Sequence, residues 1–354
     1  MKPFSVFFMH TVVAGLALSL LPAAALAQGL PPGCDLVDYD PSRRPDPAGT
    51  PTEVGIGVYV VHLDRVDNLD QSFRLDAFPR MSWRDPRLGK VVETAGVEVC
   101  RFPRDAVWDP RIIIFNRQDA NVLLPEEVSV DASGQVTYLQ RIQTRLRAPM
   151  NLREFPFDEQ VLPLTFMSIL YGPEDVALDL DETAASRTPD VPGWEVREME
   201  SRSGVLEAEV HDDSIENRRF ARYDFEFRVG REIAFYVWRI IAPLTFIVLM
   251  SWAVFWIDPS NFGVQIGLAS TSILTLVAFL FSLNNILPPL SYLTRMDIFL
   301  FVSLALACLA FGEAVATAVL QASEREALAL RIDRWARWLF PAAFAALHVA
   351  LWTL

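Results

Sequence analysis

Residues that build enzyme and metal sites are scarce in this sequence. Its 354 residues include three cysteines and four histidines, and the histidines (His10, His62, His211 and His348) lie far apart in the chain. There is no metal-ligand spacing, no glycine-rich phosphate loop and no nucleophile beside a base, so we expect neither an enzyme nor a metal or cofactor site. The net charge of -13 argues against nucleic acid as a partner, because binding its phosphates requires clustered lysine and arginine.

Long stretches without charge, by contrast, fill the end of the chain. Of all residues 52% are hydrophobic, and four apolar spans lie at about 232–257, 263–287, 296–320 and 330–354. Each span is long enough, as a helix, to cross a hydrocarbon core of about 30 Å. We therefore expect a transmembrane domain over residues 231–354, in contact with a lipid bilayer.

The start of the chain is typical of an exported protein. Residues 1–27 combine Lys2, an apolar run and an Ala-Leu-Ala end, which predicts a signal peptide cleaved before Gln28; an uncleaved anchor is the alternative. Residues 28–230 then carry most of the charge and form the exported domain.

Two cysteines of the exported domain, Cys34 and Cys100, would meet oxidising conditions. A disulfide between them is possible, although the sequence does not fix the pairing. Cys308 lies in an apolar span, where we expect it to be a packing residue.

The exported domain alternates apolar and polar residues in short runs. The clearest run places Tyr223, Phe225, Phe227 and Val229 on one face of a strand. Period two with one apolar face predicts half-buried antiparallel strands, and we detect no helical period in this region. The prediction is one all-β, immunoglobulin-like sandwich followed by a four-helix transmembrane bundle.

Charge around the spans predicts their orientation. Arginines concentrate in the link between the third and fourth spans and just beyond it, which the positive-inside rule places in the cytoplasm. An exported N-terminal domain gives the same orientation, with the sandwich in the periplasm and the helices in a bacterial inner membrane. Within the third span Glu313 is an ionisable outlier, for which a structural role is favoured over a functional one.

The second span has no ionisable side chain and carries one stripe of small, hydroxyl and amide residues. At helical spacing the stripe consists of Gly267, Thr271, Leu274, Ala278, Ser282 and Asn285. It is either a close-packing face between helices or the water-facing lining of a pore. Leu274 interrupts the stripe and favours a pore, because a ring of such leucines makes a hydrophobic gate. Several copies must then surround an axis.

Residues 150–164 read MNLREFPFDEQVLPL, and here the chain resembles the pentameric ligand-gated ion channels, the Cys-loop receptor family. The family's signature loop matches Phe155, Pro156, Phe157 and Asp158, while its two cysteines would fall at Ala148 and Leu162, so its disulfide is absent, as in prokaryotic members. Weaker matches in the family's order include the run from Trp83 to Leu88, Trp108 to Pro110, Arg231, Pro243 and Asn285 to Pro288.

The resemblance implies a homopentamer that passes small ions when an agonist acts on the exported domain. The second helices would line the pore, with Leu274 as gate, Gly267 and Thr271 below it, and Ala278, Phe281, Ser282 and Asn285 toward the outer mouth. The residues implied in coupling the sandwich to the pore are Phe155, Pro156, Phe157, Asp158, Arg231, Pro288 and Tyr292. Asp158 and Arg231 would form an ion pair there, either as an active switch or as a static clamp.

Agonist and ion selectivity remain open. Family agonists sit between neighbouring sandwiches, usually in an aromatic box, for which the candidates are Phe78, Tyr138, Tyr171, His211, Phe220 and Tyr223; for Phe220 and Tyr223 a place in the core is favoured. Proton activation is a second route, although the positions of proton-sensing acids in a bacterial member hold Asn68 and Gln71 here. The cytoplasmic mouth lacks the glutamate ring of cation channels, which favours anion or weak selectivity. A non-conducting membrane sensor is the alternative from another class.

Overall fold

The computed structural model describes residues 34–46, 49–181, 188–207, 219–283 and 286–353. The predicted signal peptide lies outside these residues. The described chain consists of a β-domain followed by helices that are long and apolar.

Within the described residues, twelve strands form two sheets. They are β1 Thr52–Asp67, β2 Ser72–Arg84, β3 Val99–Pro103, β4 Ile112–Ile114, β5 Arg117–Val122, β6 Glu127–Asp131, β7 Gln135–Leu139, β8 Ile142–Arg147, β9 Glu159–Ser168, β10 Val176–Leu180, β11 Trp194–Glu207 and β12 Arg219–Arg231. The first sheet has the order β10-β1-β2-β7-β6-β3, with β8 and then β5 branching from β2; the second has the order β11-β12-β9-β4. Among the described strands only β1 and β10 pair in parallel.

The core lies between the two sheets, as alternation in the sequence predicts. Along β12 the side chains of Tyr223, Phe225, Phe227 and Val229 are buried, whereas Glu226 and Arg228 between them are half-buried. Period two with one buried face confirms the predicted sandwich.

One helix in the β-domain contradicts the prediction that this region has none. Helix α1, Pro86–Ala95, is capped by the Asp85 side chain, which accepts a hydrogen bond from the Arg87 amide, and it ends at Gly96 in the left-handed region. Leu88 and Val92, four residues apart, face the core. The Asp-Pro start and the glycine stop were the available signals, but ten residues give too short a period to stand out.

The described residues of the membrane part form four helices, α2 Ile233–Trp256, α3 Phe262–Leu283, α4 Arg295–Ala322 and α5 Glu326–Thr353. Helices α2, α3 and α4 are long and apolar enough to cross a membrane; α5 has their length, but charged residues fill part of its first half. It packs on α2 through Phe344 and Trp252, whose ring centroids are 5.3 Å apart. Within α2 a π-turn, Val237–Ile241, precedes Pro243, which has no backbone N–H to donate.

The cysteines divide as a pair and a single residue. Cys34 and Cys100, both fully buried, form a disulfide between the start of the described chain and β3, which settles the pairing that the sequence left open. The expectation that Cys308 is packed is wrong for the single chain, because its side chain is exposed on α4.

The disulfide closes a loop with a sequence separation of 66 residues. We expect replacement of both Cys34 and Cys100 by serine to destabilise the β-domain by about 4 kcal/mol, because the unfolded chain regains the entropy of an open loop. Thermal unfolding followed by circular dichroism measures this loss, with Cys308→Ser as the matched control. Equal melting temperatures for the pair variant and the control would contradict the prediction.

Candidate functional site

Strand β12 runs directly into helix α2, and the last residue of the strand, Arg231, holds the junction together. Its Nε and one terminal nitrogen donate to the two carboxylate oxygens of Asp158, each at 2.8 Å. Both residues are nearly inaccessible, with Arg231 6% and Asp158 3% exposed. A bidentate pair of this kind is strong because both of its hydrogen bonds are charge-assisted and water does not screen them.

Aromatic rings enclose the guanidinium group of Arg231. Its central carbon lies 4.0 Å from the ring centre of Trp194, 4.8 Å from that of Phe155 and 5.6 Å from that of Tyr236. A cation over aromatic faces is attracted by the ring quadrupoles, and more so where water is excluded. The rings therefore offset part of the cost of burying the charge.

The remaining donors of Arg231 also find partners. One terminal nitrogen donates to the hydroxyl oxygen of Tyr236 at 3.1 Å, and the other donates to Oδ1 of Asn68 at 3.1 Å. Arg231 therefore joins the β1–β2 turn, the signature loop and the first turn of α2.

The carboxylate has support of its own. Gln160 donates from Nε2 to Oδ2 of Asp158 at 2.6 Å, and the same nitrogen donates to the backbone oxygen of Asn151 at 2.8 Å. This fixes the carboxylate at the start of β9, beside the end of β12, where Glu159 and Gly230 are register partners.

The other half of the signature loop contacts the chain between α3 and α4. The amide of Leu152 donates to the hydroxyl oxygen of Tyr292 at 3.0 Å, and the guanidinium of Arg153 lies 4.8 Å from the same ring. At the start of α4, Arg295 donates its amide to the Arg153 carbonyl and pairs with Glu154 at 3.2 Å. One loop of the sandwich thus touches the entries to both α2 and α4.

The predicted coupling residues divide between these contacts. Phe155, Asp158 and Arg231 meet in one cluster, and Tyr292 meets the loop from the helix side. Pro156 follows Phe155 through a cis peptide bond, Phe157 is half-buried, and Pro288 is half-buried in the linker. Sequence reasoning missed Asn68, Trp194 and Tyr236, because they reach Arg231 from parts of the chain whose approach only the fold determines.

Helix α3 has two opposite faces. Gln265, Ala269, Ser272 and Leu276 are buried, whereas the predicted pore residues in the described part of the helix are all exposed in the single chain: Gly267, Thr271, Leu274, Ala278, Phe281 and Ser282. At about 100° per residue, the two sets point roughly 180° apart. Asn285 lies outside the described residues.

The hydroxyl groups of the exposed face are already satisfied within the helix. Thr271 donates to the Gly267 carbonyl at 2.8 Å, and Thr275 donates to the Thr271 carbonyl at 2.8 Å. The face therefore tolerates an apolar neighbour, while the hydroxyl oxygens still offer lone pairs to water.

The aromatic residues expected at an agonist site do not lie together. Phe220 and Tyr223 are buried in the core. Tyr171 accepts a hydrogen bond from the indole of Trp108 at 3.0 Å, and Phe78 lies under the guanidinium of Arg141. His211 is outside the described residues.

Tyr138 alone of the described candidates lines a cleft of about 560 Å³ in the β-domain. Ile112, Ile114 and Met81 supply apolar walls, and Arg104 lies over the Tyr138 ring at 4.2 Å. Burial raises the pKa of the Tyr138 phenol above its ordinary value, so the hydroxyl keeps its proton and donates to Glu126 at 2.9 Å. An apolar cleft with a few fixed polar groups suits a small organic molecule.

The chain thus combines a β-sandwich with apolar helices, and a buried ion pair holds their junction. One of these helices has an uncharged exposed face. This is the architecture of a ligand-gated channel subunit. Residues 35–233 match the neurotransmitter-gated ion-channel ligand binding domain, and residues 240–329 match the neurotransmitter-gated ion-channel transmembrane region. The chain belongs to this family of ligand-gated ion channels, whose members are membrane proteins and not enzymes.

Two relatives show the range of the similarity. A proton-gated ion channel of Gloeobacter violaceus is 27% identical over 312 residues, which is 88% of this chain and 85% of that protein. The gamma-aminobutyric acid receptor subunit beta-4 of Gallus gallus is 25% identical over 286 residues, which is 78% of this chain and 58% of that subunit.

The ion pair at the junction gives a direct prediction. Arg231→Ala leaves the buried carboxylate of Asp158 unpaired, so we expect a loss of about 3–5 kcal/mol in stability and the loss of assembly or of gating. Arg231→Lys keeps the charge but not the bidentate fork, and should be intermediate.

Arg228→Ala is the matched control, three residues earlier on β12. Its guanidinium is more exposed and pairs only loosely with Glu198 and Glu200, at 3.6 and 3.4 Å, so the cost should be about 0–1 kcal/mol. Thermal unfolding and channel currents of the reconstituted variants measure both effects. Wild-type stability and currents in Arg231→Ala would refute the coupling role.

Proposed function

We propose that the chain is one subunit of a homopentameric channel in a bacterial inner membrane, with its sandwich in the periplasm. Ions pass along the axis between five α3 helices when a small molecule binds to the sandwich, and a ring of Leu274 side chains is the gate. The observation that carries this proposal is the two-faced α3 helix: its buried face anchors it to its own subunit, and its opposite face carries no charge.

The exposed face suits a pore better than it suits lipid. Leu274 is 71% exposed and Phe281 65% exposed in the single chain. Between these two bulky side chains the same face carries the small side chain of Ala278. Apolar side chains ringing an axis exclude water when they approach, and small residues beside them leave room for it. A lipid-facing helix has no need of Gly267, Thr271 and Ser282 on one stripe.

The junction suits transmission of movement. The signature loop holds the start of α2 through Arg231 and contacts the α3–α4 linker through Tyr292. A displacement of β9 therefore acts both on α2 and on the linker that follows the pore helix α3. Because the ion pair is buried and bidentate, it transmits movement without first breaking.

The agonist site that we propose includes the cleft beside Tyr138. Three arginines and three acids line it, namely Arg104, Arg111, Arg117, Asp105, Asp109 and Glu126, and they suit a small ligand that carries both polar and apolar groups. Protons are the second candidate agonist, which the similarity to a proton-gated channel favours. Asn68, which contacts Arg231, has no carboxyl group to report acidification.

Substituted cysteines on α3 test the pore proposal. In a Cys308→Ser background, we expect Thr271→Cys and Ala278→Cys to react with a water-soluble thiol reagent and lose current, because these residues line water. Leu276→Cys, on the buried face, is the matched control and should not react. The reverse pattern, or labelling only by a lipid-soluble reagent, would mean that the helix faces the bilayer.

The gate has a separate test. Leu274→Ser replaces an apolar ring by hydroxyls, so water stays continuous and we expect current at rest without any agonist. Planar-bilayer recordings of the purified protein in asymmetric chloride measure this current, and the reversal potential gives the ion selectivity, for which we expect anion or weak selectivity. A Leu274→Ser channel that stays silent at rest and opens as the wild type does would remove Leu274 from the gate.

A further inference from the structure

The far end of helix α2 is closed by side chains from two other helices. The helix has 24 residues, so its end lies about 36 Å along the helix from its start beside the sandwich. Its last turn, Ala253–Trp256, is a 3-10 turn, and the chain becomes extended at Ile257. A helix end leaves backbone carbonyl groups without partners inside the helix, and buried carbonyl groups need donors from elsewhere.

Gln265 of α3 supplies one of these donors. Its side-chain nitrogen Nε2 donates to the backbone oxygen of Val254 at 3.2 Å and to that of Ile257 at 3.0 Å. The side chain is fully buried, and its oxygen Oε1 receives no hydrogen bond from the described residues. A buried acceptor without a donor is costly, so packing alone would favour an apolar side chain here. The amide is therefore explained by the two carbonyl groups that it holds.

Arg337 of α5 supplies the second donor. Its Nε donates to the backbone oxygen of Phe255 at 2.7 Å, and its central carbon lies 5.8 Å from the ring centre of Trp256. Three residues further along α5, the ring of Phe340 packs on that of Phe255, with ring centres 4.9 Å apart. Helix α5 thus holds one residue of α2 both by a charge-assisted hydrogen bond and by an aromatic contact.

The link from α2 to α3 that these contacts hold carries the single charge of a long stretch of the chain. Asp258 is the only charged residue between Arg239 and Arg295 in the sequence, and its side chain is exposed. Its carboxylate accepts a hydrogen bond from the Ser260 amide at 2.9 Å, and its carbonyl accepts one from the Asn261 amide at 2.8 Å. The charge therefore lies on a closed turn that leads directly into α3.

We propose that Gln265 and Arg337 are positioning residues for the ion path, because they fix this link and with it the carboxylate of Asp258. The inference rests on the proposed function: if five α3 helices line the pore, the link forms the mouth of the pore on the side away from the sandwich. Five Asp258 carboxylates then surround that mouth, where fixed negative charge attracts cations and opposes anions. They limit the anion preference expected above.

Neither positioning residue lines the proposed pore. Gln265 is on the buried face of α3, and Arg337 reaches the Phe255 carbonyl from α5. Both act on ions only through the link, so loss of either contact lets the turn with Asp258 move and spreads its charge over a larger volume. Ion selectivity is thereby tied to α5, a helix that contributes no residue to the stripe on α3.

Currents of the reconstituted full chain in asymmetric sodium chloride test the proposal. Gln265→Met nearly keeps the volume of the side chain and removes both hydrogen bonds without a change of charge. We expect its ratio of chloride to sodium permeability to rise toward that of Asp258→Asn, in which loss of the fixed charge should raise the ratio about tenfold.

Arg337→Gln separates positioning from simple electrostatics. Removal of a positive charge would by itself favour sodium, whereas loss of positioning favours chloride, so we expect the permeability ratio to rise in this variant as well. Arg334→Gln removes an exposed charge three residues earlier on α5. It is the matched control and should not raise the ratio.

A spin label on the link gives a second measurement, which does not depend on current. In a Cys308→Ser background, electron paramagnetic resonance should show a label on Asn261→Cys to be restricted in its motion. The label should move more freely when Gln265→Met or Arg337→Gln is added, but not when Arg334→Gln is added.

The two measurements separate the possible failures. If Gln265→Met does not assemble, Arg337→Gln and its control decide. An unchanged permeability ratio, or unchanged mobility of the label, would overturn the proposal. A protein that carries no current at all would refute the channel proposal instead, while the label would still show whether the two side chains hold the link.

Discussion

Burial of one arginine constrains the structure more than any other single feature. Arg231 is the last residue of a strand, and a single residue separates it from the start of the membrane helix α2. Its charge therefore lies where the polar sandwich meets the apolar bundle. Removing an ion from water is costly, and the cost is recovered only with precise partners. Asp158, Asn68 and Tyr236 supply the acceptors, while Trp194 and Phe155 supply ring faces. Four separate segments of the chain, namely the β1–β2 turn, the signature loop, the start of β11 and the first turn of α2, are thus positioned around one side chain.

Two of the buried groups of ionisable side chains differ in how they are paired. At the junction a cation meets an anion, and the surroundings offer further hydrogen bonds to both. Between α4 and α5, Glu313 and Asp333 have buried carboxyl oxygens to which none of the described residues donates a hydrogen bond.

Much of the architecture was predictable because it rests on periodicity. Alternation along β12 predicted the buried face of that strand, and the predicted stripe on α3 lies on a face that is exposed in the single chain. Helix α1 escaped prediction although Leu88, Val91, Val92 and Ala95 follow helical spacing, because ten residues make fewer than three turns. Asn68 and Tyr236 escaped because their approach to Arg231 depends on the packing of the β1–β2 turn and of α2, which no local pattern encodes. Trp194 escaped because it meets Arg231 through the pairing of β11 with β12, in which the two are register partners. Alternation also does not distinguish an aromatic residue of the core from one of a binding surface. For this reason Phe220 and Tyr223 were among the candidates for the ligand site, although both are buried in the core.

The pairing of β9 with β12 has a consequence for how this chain tolerates changes of length. Glu159 and Gly230 are register partners, so their neighbours Asp158 and Arg231 come together at the strand ends. Inserting or deleting one residue in either strand would turn every inward side chain outward and carry the guanidinium away from its carboxylate. Relatives that differ in length should therefore place their insertions in hairpin tips and spare these two strands.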